Sequence, residues 1–436
     1  MLKAYIKTYG CQMNEYDSEI MAGLLRESNY SLTPNLEEAD LVILNTCYVR
    51  EKVKQKVYSK LGEIKKLKEK NPHLLLGVCG CLVQREPEEV LQQAPYVDFV
   101  LGTRSFHNLS LVLKEMSRDH RRIMRLEEEA VPEGLPRIRK RSFSAYVTVI
   151  RGCNNFCSYC NVPYVRGRER SRSPENILRE IRELSYQGYK EVILLGQNVN
   201  SYGKDLKEGM DFADLLTEVN RIEGIERIRF TTSHPKDVSN KLIESMRDLE
   251  KVCEHLHLPL QAGSDKILRR MNRGYTRQDY MDLVSRVRQA IPEVSLTTDI
   301  IVGFPGEDED DFEDTLDIVK KVRFDGAFTF CYSRLRGTLS AGFKDQIPEE
   351  IKKERIRRLI DAQGKIIQER NRSLIGKKFE ILVEGASKRN PDELQGRTRG
   401  NKMVIFKGGR DLIGKLISVK IVDSSQWALR GEILKC

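Results

Sequence analysis

Short apolar runs alternate with longer amphipathic stretches over the first 115 residues of the chain. Strand-like runs cover residues 3–8, 40–45 and 74–78, and helical stretches cover roughly residues 16–28 and 51–71. Short apolar strands that alternate with helices are typical of a parallel sheet with helices on its faces. We therefore predict an α/β fold with a parallel sheet for this N-terminal part.

The same alternation returns between residues 145 and 339. Six strand-like runs cover residues 146–150, 191–195, 227–231, 255–260, 295–302 and 327–332. Six strand–helix units are too few for a complete α/β barrel, which has eight. We predict a partial, open (β/α)6 barrel, followed by a charged helix over residues 348–372.

From residue 377 the pattern changes to short alternating runs, such as FEILVEG and VIFKG, which Gly, Asn and Asp turns separate. This pattern is typical of a small all-β barrel. The predicted fold class is therefore α/β with a terminal β module. The predicted domains cover residues 1–118, 143–370 and 371–436, with a linker of mixed charge at 119–142.

Composition adds a mild excess of positive charge to this picture. The 436 residues are 32% charged and 40% hydrophobic, so the chain can bury ordinary cores. The net charge is +10, and residues 376–436 alone hold 13 basic and 7 acidic residues. This excess is mild, and a solvated surface explains it, although more than half of it lies in the terminal module. No stretch approaches the roughly 20 apolar residues of a membrane span, so we expect a cytoplasmic protein without a membrane partner.

Three cysteines each follow one of the predicted N-terminal strands: Cys11, Cys47 and Cys81. The carboxyl ends of parallel strands line one crevice, so we expect these thiols to converge there. Cys79 is an alternative to Cys81. We prefer Cys81 because a glycine precedes it, as one precedes Cys11, and allows close backbone approach. Metal binding is favoured over a merely buried structural role, because cytosolic cysteines are seldom in disulfides.

A second set of cysteines, Cys153, Cys157 and Cys160, has the spacing C-x3-C-x2-C. Thiolates are soft ligands that suit iron–sulfur clusters, whereas zinc sites usually take four protein ligands. Because no fourth cysteine or histidine is close by, the three thiols predict a four-iron cluster with one iron open to a small molecule. We interpret the remaining cysteines as non-ligands: Cys79, Cys253, Cys331 and Cys436.

This spacing, with the aromatic Tyr159, resembles the radical S-adenosylmethionine (SAM) enzymes. The resemblance implies that the open iron binds the amino and carboxylate groups of SAM. It further implies that the reduced cluster cleaves SAM to a 5′-deoxyadenosyl radical, which abstracts a hydrogen atom. The implied cofactor-binding residues are Tyr159, Gly196, Gln197, Asn198, Gln261, Thr298 and Asp299. We expect His234, in TTSHP, to be a satisfied polar core residue instead.

Longer motifs resemble the methylthiotransferases within that superfamily, and the resemblance covers nearly the whole chain. These motifs are TYGCQMNEYDSE, GCNNFCSYC followed by VPYVRGRERSR, LGQNVNSYG, RFTTSHP and RMNRGYT. The resemblance implies that the three N-terminal cysteines hold a second 4Fe–4S cluster and that the terminal module is an RNA-binding TRAM domain. It implies no catalytic residue beyond the cluster ligands.

The implied reaction adds a methylthio group to carbon 2 of N6-isopentenyladenosine next to the tRNA anticodon. One SAM methylates a sulfur atom carried by the second cluster, and another supplies the radical. The implied partners are a tRNA anticodon loop carrying isopentenyladenosine, an electron donor such as flavodoxin or ferredoxin, and an iron–sulfur or sulfur delivery protein. Two departures from the family pattern, Asn161 and the proline-poor residues 332–338, touch no implied ligand.

An arginine-rich run follows the second cysteine set directly, and a further basic group lies in the terminal module. A phosphate backbone that enters the active site needs such cationic partners. The predicted RNA-binding residues are Arg166, Arg168, Arg170, Arg172, Arg397, Arg399, Lys402 and Arg430. A solvated charged loop is the alternative for the first four, and Trp427 suits a core position as well as a stacking one.

Two alternatives keep the chemistry and change the substrate to threonylcarbamoyl-adenosine or to a ribosomal protein. The enzymes of those two groups usually read Cys-Lys-Val-Asn and Cys-Pro-Lys-Asn where this chain reads Cys11-Gln12-Met13-Asn14. The isopentenylated adenosine is therefore the favoured substrate. An alternative of another class is an RNA-binding protein whose iron–sulfur clusters are structural.

Overall fold

The computed structural model of the chain describes residues 1–48, 51–119, 121–126, 131–207 and 209–434. The chain forms two compact units. The first unit comprises Met1–Lys140, Arg151–Arg172 and Ser333–Ala341, and the second unit comprises Arg141–Ile150, Ser173–Tyr332 and Gly342–Cys436. The loop with the spacing C-x3-C-x2-C therefore belongs to the same unit as the N-terminal cysteines. The predicted domain boundaries stay a prediction, and Cys436 lies outside the described residues.

A six-stranded parallel sheet forms the centre of the first unit. The strands are β1 Leu2–Thr8, β2 Tyr30–Leu32, β3 Leu41–Thr46, β4 Leu75–Gly80, β5 Phe99–Leu101 and β6 Ile123–Arg125. Their order is β2-β1-β3-β4-β5-β6. The parallel sheet is thus confirmed, with β1, β3 and β4 as the predicted strands. The other strands have three residues each, too few to produce a recognisable pattern.

Helices connect these strands and supply the apolar layer against the sheet. The helices of this part are α1 Gln12–Glu27, α2 Glu51–Lys70, α3 Cys81–Arg85, α4 Pro87–Gln93 and α5 Leu109–Arg118. Leu44 of β3 and Leu76 of β4 share one core cluster with Val57 and Leu61 of α2. Every residue of β3 is buried, as expected for a central strand of a parallel sheet, which reads as a continuous apolar run.

Residues 141–332 contain the six predicted strands of the partial barrel. These six strands are β7 Ser144–Thr148, β10 Glu191–Leu195, β11 Arg227–Phe230, β12 His255–His257, β13 Ser295–Val302 and β14 Gly326–Cys331. Two further short strands, β8 Ile150–Arg151 and β9 Arg170–Ser171, pair with each other in a separate sheet. Parallel pairing gives one sheet in the order β11-β10-β7 and another in the order β12-β13-β14. A parallel bridge between Ile228 and Val252 links the first sheet to the chain that enters β12.

The remaining helices follow the strand–helix alternation of the sequence. They are α6 Val162–Val165, α7 Pro174–Tyr186, α8 Phe212–Asn220, α9 Asn240–Asp248, α10 Asp265–Arg270, α11 Arg277–Ala290, α12 Glu309–Val322 and α13 Glu349–Arg372. The charged helix predicted over residues 348–372 is α13. No helix in the described ranges is long and apolar enough to cross a membrane.

The end of the chain is a closed barrel, as the alternating pattern predicts. Its strands are β15 Lys378–Ala386, β16 Glu393–Thr398, β17 Met403–Lys407, β18 Leu416–Ser424 and β19 Leu429–Ile433. They close in the order β15-β16-β17-β19-β18 around buried residues such as Ile381, Val404, Phe406 and Val419. The α/β fold class with a terminal β barrel is therefore confirmed.

Two buried arginines of β11 hold this barrel against the rest of the second unit. Arg227 Nη1 donates a hydrogen bond to the carbonyl oxygen of Arg397 at 2.8 Å. Arg229 donates to the carbonyl oxygens of Thr398 and Arg399, each at 2.7 Å. The turn between β16 and β17 is therefore fixed to the partial barrel by its backbone.

Candidate functional site

The N-terminal cysteines lie at the carboxyl ends of three neighbouring strands. Cys11 follows β1 and is the N-cap of α1, Cys47 follows β3, and Cys81 opens α3 directly after β4. Because β1, β3 and β4 are adjacent and parallel, their ends lie along one edge of the sheet. We call Cys11, Cys47 and Cys81 the sheet trio. Its members are brought to one edge, where Cys47 and Cys81 are buried and Cys11 is exposed.

Two glycines leave the space in which the sheet trio lies. Gly10 has φ of +146°, and a Cβ there would lie 2.9 Å from Cγ of Asn14 and 3.0 Å from Cβ of Cys47. Gly80 has φ of +96°, and a Cβ there would lie 2.4 Å from the carbonyl oxygen of Thr46. Both positions therefore require glycine, because the backbone conformation and the close approach exclude a side chain.

A buried amide network ties these strand ends to the start of α1. Asn14 Nδ2 donates to the carbonyl oxygen of Thr46 at 2.9 Å and to Oδ1 of Asn45 at 3.2 Å. Asn45 Nδ2 donates to the carbonyl oxygen of Asn14 at 2.8 Å, and Cys11 Sγ donates to Oδ1 of Asn14 at 3.4 Å. Satisfied buried networks specify one local arrangement, so this network holds the strand ends that carry the thiols.

A buried arginine from the other cysteine-bearing segment lies beside two of these thiols. Arg166 Nη1 pairs with Oδ2 of Asp17 at 2.6 Å, and Nη2 donates to Oδ1 of Asn14 at 3.2 Å. The charge of the guanidinium acts on the thiols of Cys81 and Cys11. Burial raises the pKa of the Cys81 thiol, and the charge of Arg166 opposes this rise by favouring the thiolate.

Cys79 has a different environment from Cys81. It lies inside β4, it is fully buried, and burial raises the pKa of its thiol far above the ordinary value. Cys81 opens a helix and lies beside a guanidinium. These differences support Cys81 as the ligand, which stays a prediction.

The second set of cysteines lies on one loop between β8 and α6, and we call Cys153, Cys157 and Cys160 the loop trio. The backbone N–H of Cys153 donates to the carbonyl oxygen of Gly167 at 3.0 Å, and that of Cys160 donates to Cys157 at 2.9 Å. Gly152 has φ of +79°, and a Cβ there would lie 2.0 Å from the carbonyl oxygen of Arg168. The loop is thus closed by backbone contacts.

Nitrogen donors contact two sulfur atoms of the loop trio. Asn155 Nδ2 donates to Sγ of Cys153 at 3.4 Å, and the backbone N–H of Val162 donates to Sγ of Cys160 at 3.4 Å. Burial raises the pKa of the Cys153 thiol to about 11. Metal binding at this loop therefore has to displace a firmly held proton, and the N–H donors stabilise the resulting thiolates.

Both trios suit iron–sulfur clusters by the chemistry of their ligands. Each offers three soft sulfur ligands near hydrogen-bond donors, which is the donor set that such clusters use. Within the described ranges, no group of three or more His, Cys, Asp or Glu side chains is gathered so as to hold a metal ion as it stands. Ligation by the six cysteines therefore stays a prediction.

Buried polar atoms without partners collect at the strand ends of the second unit. In the part of the chain that the structure describes, they include Asn198 Oδ1, Asn200 Oδ1 and Nδ2, Ser233 Oγ, His234 Nε2 and Gln261 Oε1. These residues follow β10, β11 and β12. Unpaired buried polar atoms are rare, because nothing offsets the loss of hydration. Their concentration at three strand ends indicates that a polar ligand pairs with them.

The backbone is strained at the same strand ends. Thr232 and Gln261 both have φ of 70°, in the left-handed region that residues other than glycine seldom adopt. Such strain persists where the surrounding structure imposes it, and it clusters at ligand sites. Strain and unpaired polar atoms therefore occur together at the strand ends where the resemblance predicts SAM, and the site stays a prediction.

His234 is not the satisfied core residue that we expect from the sequence. Its Nδ1 accepts a hydrogen bond from the backbone N–H of Lys236 at 3.3 Å, while Nε2 is buried and unpaired. Burial and the charge of Arg273 lower the pKa of the ring to about 2, so the ring is neutral. Because Nδ1 accepts, Nε2 carries the proton and is a donor available to a ligand. In the sequence, the only signal of a ligand-binding role for His234 is its position shortly after a strand.

The structure separates two adjacent residues that the resemblance assigns to SAM. Thr298 is fully buried, donates to the carbonyl oxygen of Leu258 and accepts from the backbone N–H of Leu260, both at 2.9 Å. Asp299 lies on the opposite face of β13, with Oδ2 3.4 Å from Nε2 of His257. Neighbouring residues of a strand face opposite sides of the sheet. We therefore correct the prediction that Thr298 contacts SAM, because its hydroxyl joins β13 to the segment that follows β12.

The surroundings of the other residues that the resemblance assigns to SAM give less information about ligand binding. A Cβ at Gly196 would lie 2.4 Å from Cγ2 of Ile150, so this glycine allows a close approach at the end of β10. Gln197 in the second unit and Tyr159 in the first unit are both partly buried. Contact of these residues with SAM stays a prediction.

The arginines after the loop trio have different surroundings. Arg168 and Arg170 are exposed, and Arg172 pairs with Glu133 at 3.2 Å. Arg166 is buried and paired with a carboxylate inside the first unit. A contact with phosphate needs an accessible charge, so we remove Arg166 from the predicted RNA-binding residues.

The basic residues of the terminal barrel also have carboxylate partners. The pairs are Arg397–Glu384, Arg399–Glu254, Lys402–Asp325 and Arg430–Glu393. Arg399 and Lys402 thereby link the turn of the barrel to residues of the partial barrel in the same unit. Arg430 differs, because its side chain is 54% exposed. RNA binding by these residues stays a prediction.

Three family models match successive stretches of the chain. The uncharacterized protein family UPF0004 matches residues 3–102, the radical SAM superfamily matches residues 147–319, and the TRAM domain matches residues 372–434. The parallel strands, the loop trio and these matches define a radical SAM enzyme. This superfamily uses SAM and a 4Fe–4S cluster.

Curated relatives match along the full chain. The tRNA-2-methylthio-N(6)-dimethylallyladenosine synthase of Moorella thermoacetica is 54% identical and covers 98% of both chains. The synthase of the same name from Caldicellulosiruptor saccharolyticus is 52% identical and covers 99% of this chain and 92% of that protein. The chain belongs to the family of tRNA-2-methylthio-N(6)-dimethylallyladenosine synthases.

A solved structure shares the fold at low identity. The radical S-adenosylmethionine methyltransferase TsrM from Kitasatospora setae superposes with a TM-score of 0.56 at 13% identity. The superposition covers 76% of this chain and 73% of that chain. This likeness concerns the fold alone.

Proposed function

We propose that this chain is a transferase that adds a methylthio group to carbon 2 of N6-isopentenyladenosine, next to the tRNA anticodon. The observation that carries the proposal is the presence of two cysteine trios in one compact unit. Radical SAM chemistry accounts for one trio, and a sulfur carrier accounts for the other. The full-length identity of 54% to a synthase of this name supports the same substrate.

The loop trio is proposed to hold the 4Fe–4S cluster that binds SAM, and the sheet trio a second 4Fe–4S cluster. When bound, these groups supply the reductive cleavage of SAM and the sulfur atom that is transferred. The strand ends, the two glycines and the buried amides would position the cluster of the sheet trio, and the backbone bonds of the loop would position that of the loop trio. The proposed division into domains at 1–118, 143–370 and 371–436 assigns one task to each part.

SAM is proposed to pair with the buried polar atoms at the strand ends of the second unit. The oxygens of Asn198 and Gln261 are acceptors that suit the ammonium and hydroxyl groups of SAM. His234 Nε2–H is a donor that suits a carboxylate or a ring nitrogen. Gly196, Gln197, Asp299 and Tyr159 are the other proposed contacts.

The proposed partners follow from the reaction. An electron donor such as flavodoxin or ferredoxin reduces the cluster of the loop trio, and a sulfur delivery protein renews the second cluster. Both the tRNA and these partners place the reaction in the cytoplasm. The proposed RNA contacts with accessible charge are Arg168, Arg170 and Arg430.

The direct test is mass spectrometry of tRNA nucleosides from a strain without this gene, with and without the gene restored. We expect methylthio-isopentenyladenosine to disappear, isopentenyladenosine to accumulate, and the modification to return on complementation. Persistence of the methylthio nucleoside in the deletion strain would contradict the proposal. Loss of a methylthiolated threonylcarbamoyl-adenosine or ribosomal protein instead would identify one of the other substrates.

A second test concerns the cofactors. Protein purified without oxygen should contain about eight irons per chain, four for each trio of thiolates. The reduced protein should release 5′-deoxyadenosine from SAM. Absence of that product from fully loaded protein would favour an RNA-binding protein with structural clusters.

A further inference from the structure

Arg166 lies six residues after the last cysteine of the loop trio, yet its side chain reaches the edge of the sheet. The guanidinium contacts Asp17 and Asn14 of α1, the helix that Cys11 caps. Its side chain is only 4% exposed, as is that of Asp17. One residue thus connects the segment of the loop trio to the sheet trio.

Among the described residues, the charges that pair around Arg166 do not balance. Asp17 accepts from Arg166 through Oδ2 at 2.6 Å and from Arg151 through Oδ1 at 2.9 Å. One buried carboxylate therefore serves two guanidinium groups. A buried positive charge is costly unless an anion is near it, so this place favours a further negative group.

The sheet trio can supply that negative group. Arg166 Nη2 and Cys11 Sγ both donate to Oδ1 of Asn14, at 3.2 Å and 3.4 Å, so the guanidinium lies at the sheet trio. The charge of Arg166 favours the thiolate of Cys81, and a ligating cysteine is a thiolate. Hydrogen bonds to sulfur and nearby charge are among the features that set the reduction potential of an iron–sulfur cluster. Arg168 and Arg170, which are close to Arg166 in sequence, are exposed to solvent, whereas Arg166 is buried.

We propose that Arg166 is a positioning residue for the second cluster. Its guanidinium holds the Cys81 thiolate by a hydrogen bond, and its positive charge raises the reduction potential of that cluster. The inference rests on the proposed function, because it assumes a cluster on the sheet trio. Arg166 is buried, so its proposed action is through the ligands of the cluster. It also ties the sulfur-carrying edge to the segment that carries the loop trio.

The test isolates the second cluster in the full-length chain. The background is the triple variant Cys153→Ala, Cys157→Ala and Cys160→Ala, reconstituted without oxygen, so that only the sheet trio binds iron. Iron is quantified, and the midpoint potential is measured by a redox titration followed by electron paramagnetic resonance. The variants are Arg166→Gln, Arg166→Lys and Asp17→Asn, with Arg170→Gln as the control that removes an exposed charge from the same segment.

Arg166→Gln is expected to lower the equilibrium constant for reduction at least tenfold, which corresponds to about 59 mV for one electron. Arg166→Lys keeps the positive charge, so the midpoint potential of the cluster should stay close to its value with Arg166. Asp17→Asn removes the negative partner, so it should shift the potential in the opposite direction. Arg170→Gln should leave the potential unchanged, because solvent screens its charge.

A purely structural role would change stability and leave the potential where it is. Full iron content with an unchanged potential in Arg166→Gln would overturn the inference. If Arg166→Gln binds no iron, Asp17→Asn decides, because an upward shift supports the inference and an unchanged potential overturns it. If the triple-variant background itself binds no iron, the second cluster of the proposed function fails instead.

Discussion

The sheet trio and the loop trio lie in one unit but are built in opposite ways. The sheet trio comes from the ends of three strands that are far apart in sequence, whereas the loop trio lies within eight consecutive residues. The first depends on strand pairing, two glycines and a buried amide network. The second depends on a few backbone bonds within the loop.

This difference teaches that the two sites should respond differently to mutation. A change at the sheet edge alters the spacing of the sheet trio, because several elements must stay in register to present it. The loop trio should tolerate the same change, since its ligands are close in sequence. Each of the following experiments tests that difference.

Replacement of cysteines by alanine has the largest expected effect. Loss of either trio should lower the iron content from about eight to about four per chain and abolish methylthiolation. SAM cleavage should survive only when the sheet trio is replaced, as chromatography of 5′-deoxyadenosine would reveal. Cys79→Ala is the control and should keep its iron. If it behaves like Cys81→Ala, the choice between these two cysteines is wrong.

Gly80→Ala should selectively damage the sheet trio. The new Cβ would lie 2.4 Å from the carbonyl oxygen of Thr46, in a conformation that alanine disfavours. We expect the free energy of unfolding of the iron-free chain to fall by about 2–4 kcal/mol. Chemical denaturation and iron analysis measure this.

The matched control is Gly62→Ala in α2, where nothing lies within 4 Å of a new Cβ. It should raise the free energy of unfolding by about 0.5–1 kcal/mol, because alanine favours helix. SAM cleavage should persist in both variants. Loss of SAM cleavage in Gly80→Ala would show that the two sites are not independent.

Asn14→Ala should have an intermediate effect on the sheet trio. It removes the donor to Asn45 and Thr46 and one acceptor of Arg166, which should cost about 1–3 kcal/mol of stability. A chelator should strip iron from the sheet trio several-fold faster than from the loop trio. Asn35→Ala, at an exposed position, should change stability by less than about 0.5 kcal/mol. Equal effects of the two variants would contradict the role of the network.

Asn155→Ala should have the smallest effect, and it should act on the loop trio alone. The variant loses the amide that donates to Sγ of Cys153, a hydrogen bond worth about 0.5–1.5 kcal/mol. We expect full iron content and a lower midpoint potential of the loop cluster in a redox titration. Asn154→Ala removes an exposed amide that contacts Glu169 and serves as the control. An identical potential in both variants would exclude a role for the amide.

The strands that carry both trios could be predicted from the sequence, because strong local patterns mark them. The run that becomes β3 is apolar until its last two residues, and it ends directly before Cys47. In the same way, Gly80 and Cys81 mark the end of β4. Three-residue strands such as β2 have no such pattern, because tertiary pairing alone makes them strands.

The role of Arg166 could not be predicted from the sequence. The arginines of VPYVRGRERSR look alike in a linear reading, and the contact that distinguishes Arg166 is with Asp17, 149 residues earlier. The same holds for His234, whose unpaired nitrogen depends on burial by the surrounding fold. Sequence spacing identifies candidate ligands, whereas the environment of a charge requires the folded chain.

The two buried arginines of β11 bind the terminal barrel to the partial barrel, so the two parts of this unit depend on each other. A chain shortened at residue 371 would lose the carbonyl oxygens that accept hydrogen bonds from Arg227 and Arg229, while Arg229 would keep its ion pair with Glu191. The loss of these hydrogen bonds, and of the packing that the barrel provides over β11, would destabilise the partial barrel itself. Truncation would therefore change folding stability and tRNA affinity together. Substitutions of exposed residues on an intact barrel are needed to map the surface that binds tRNA.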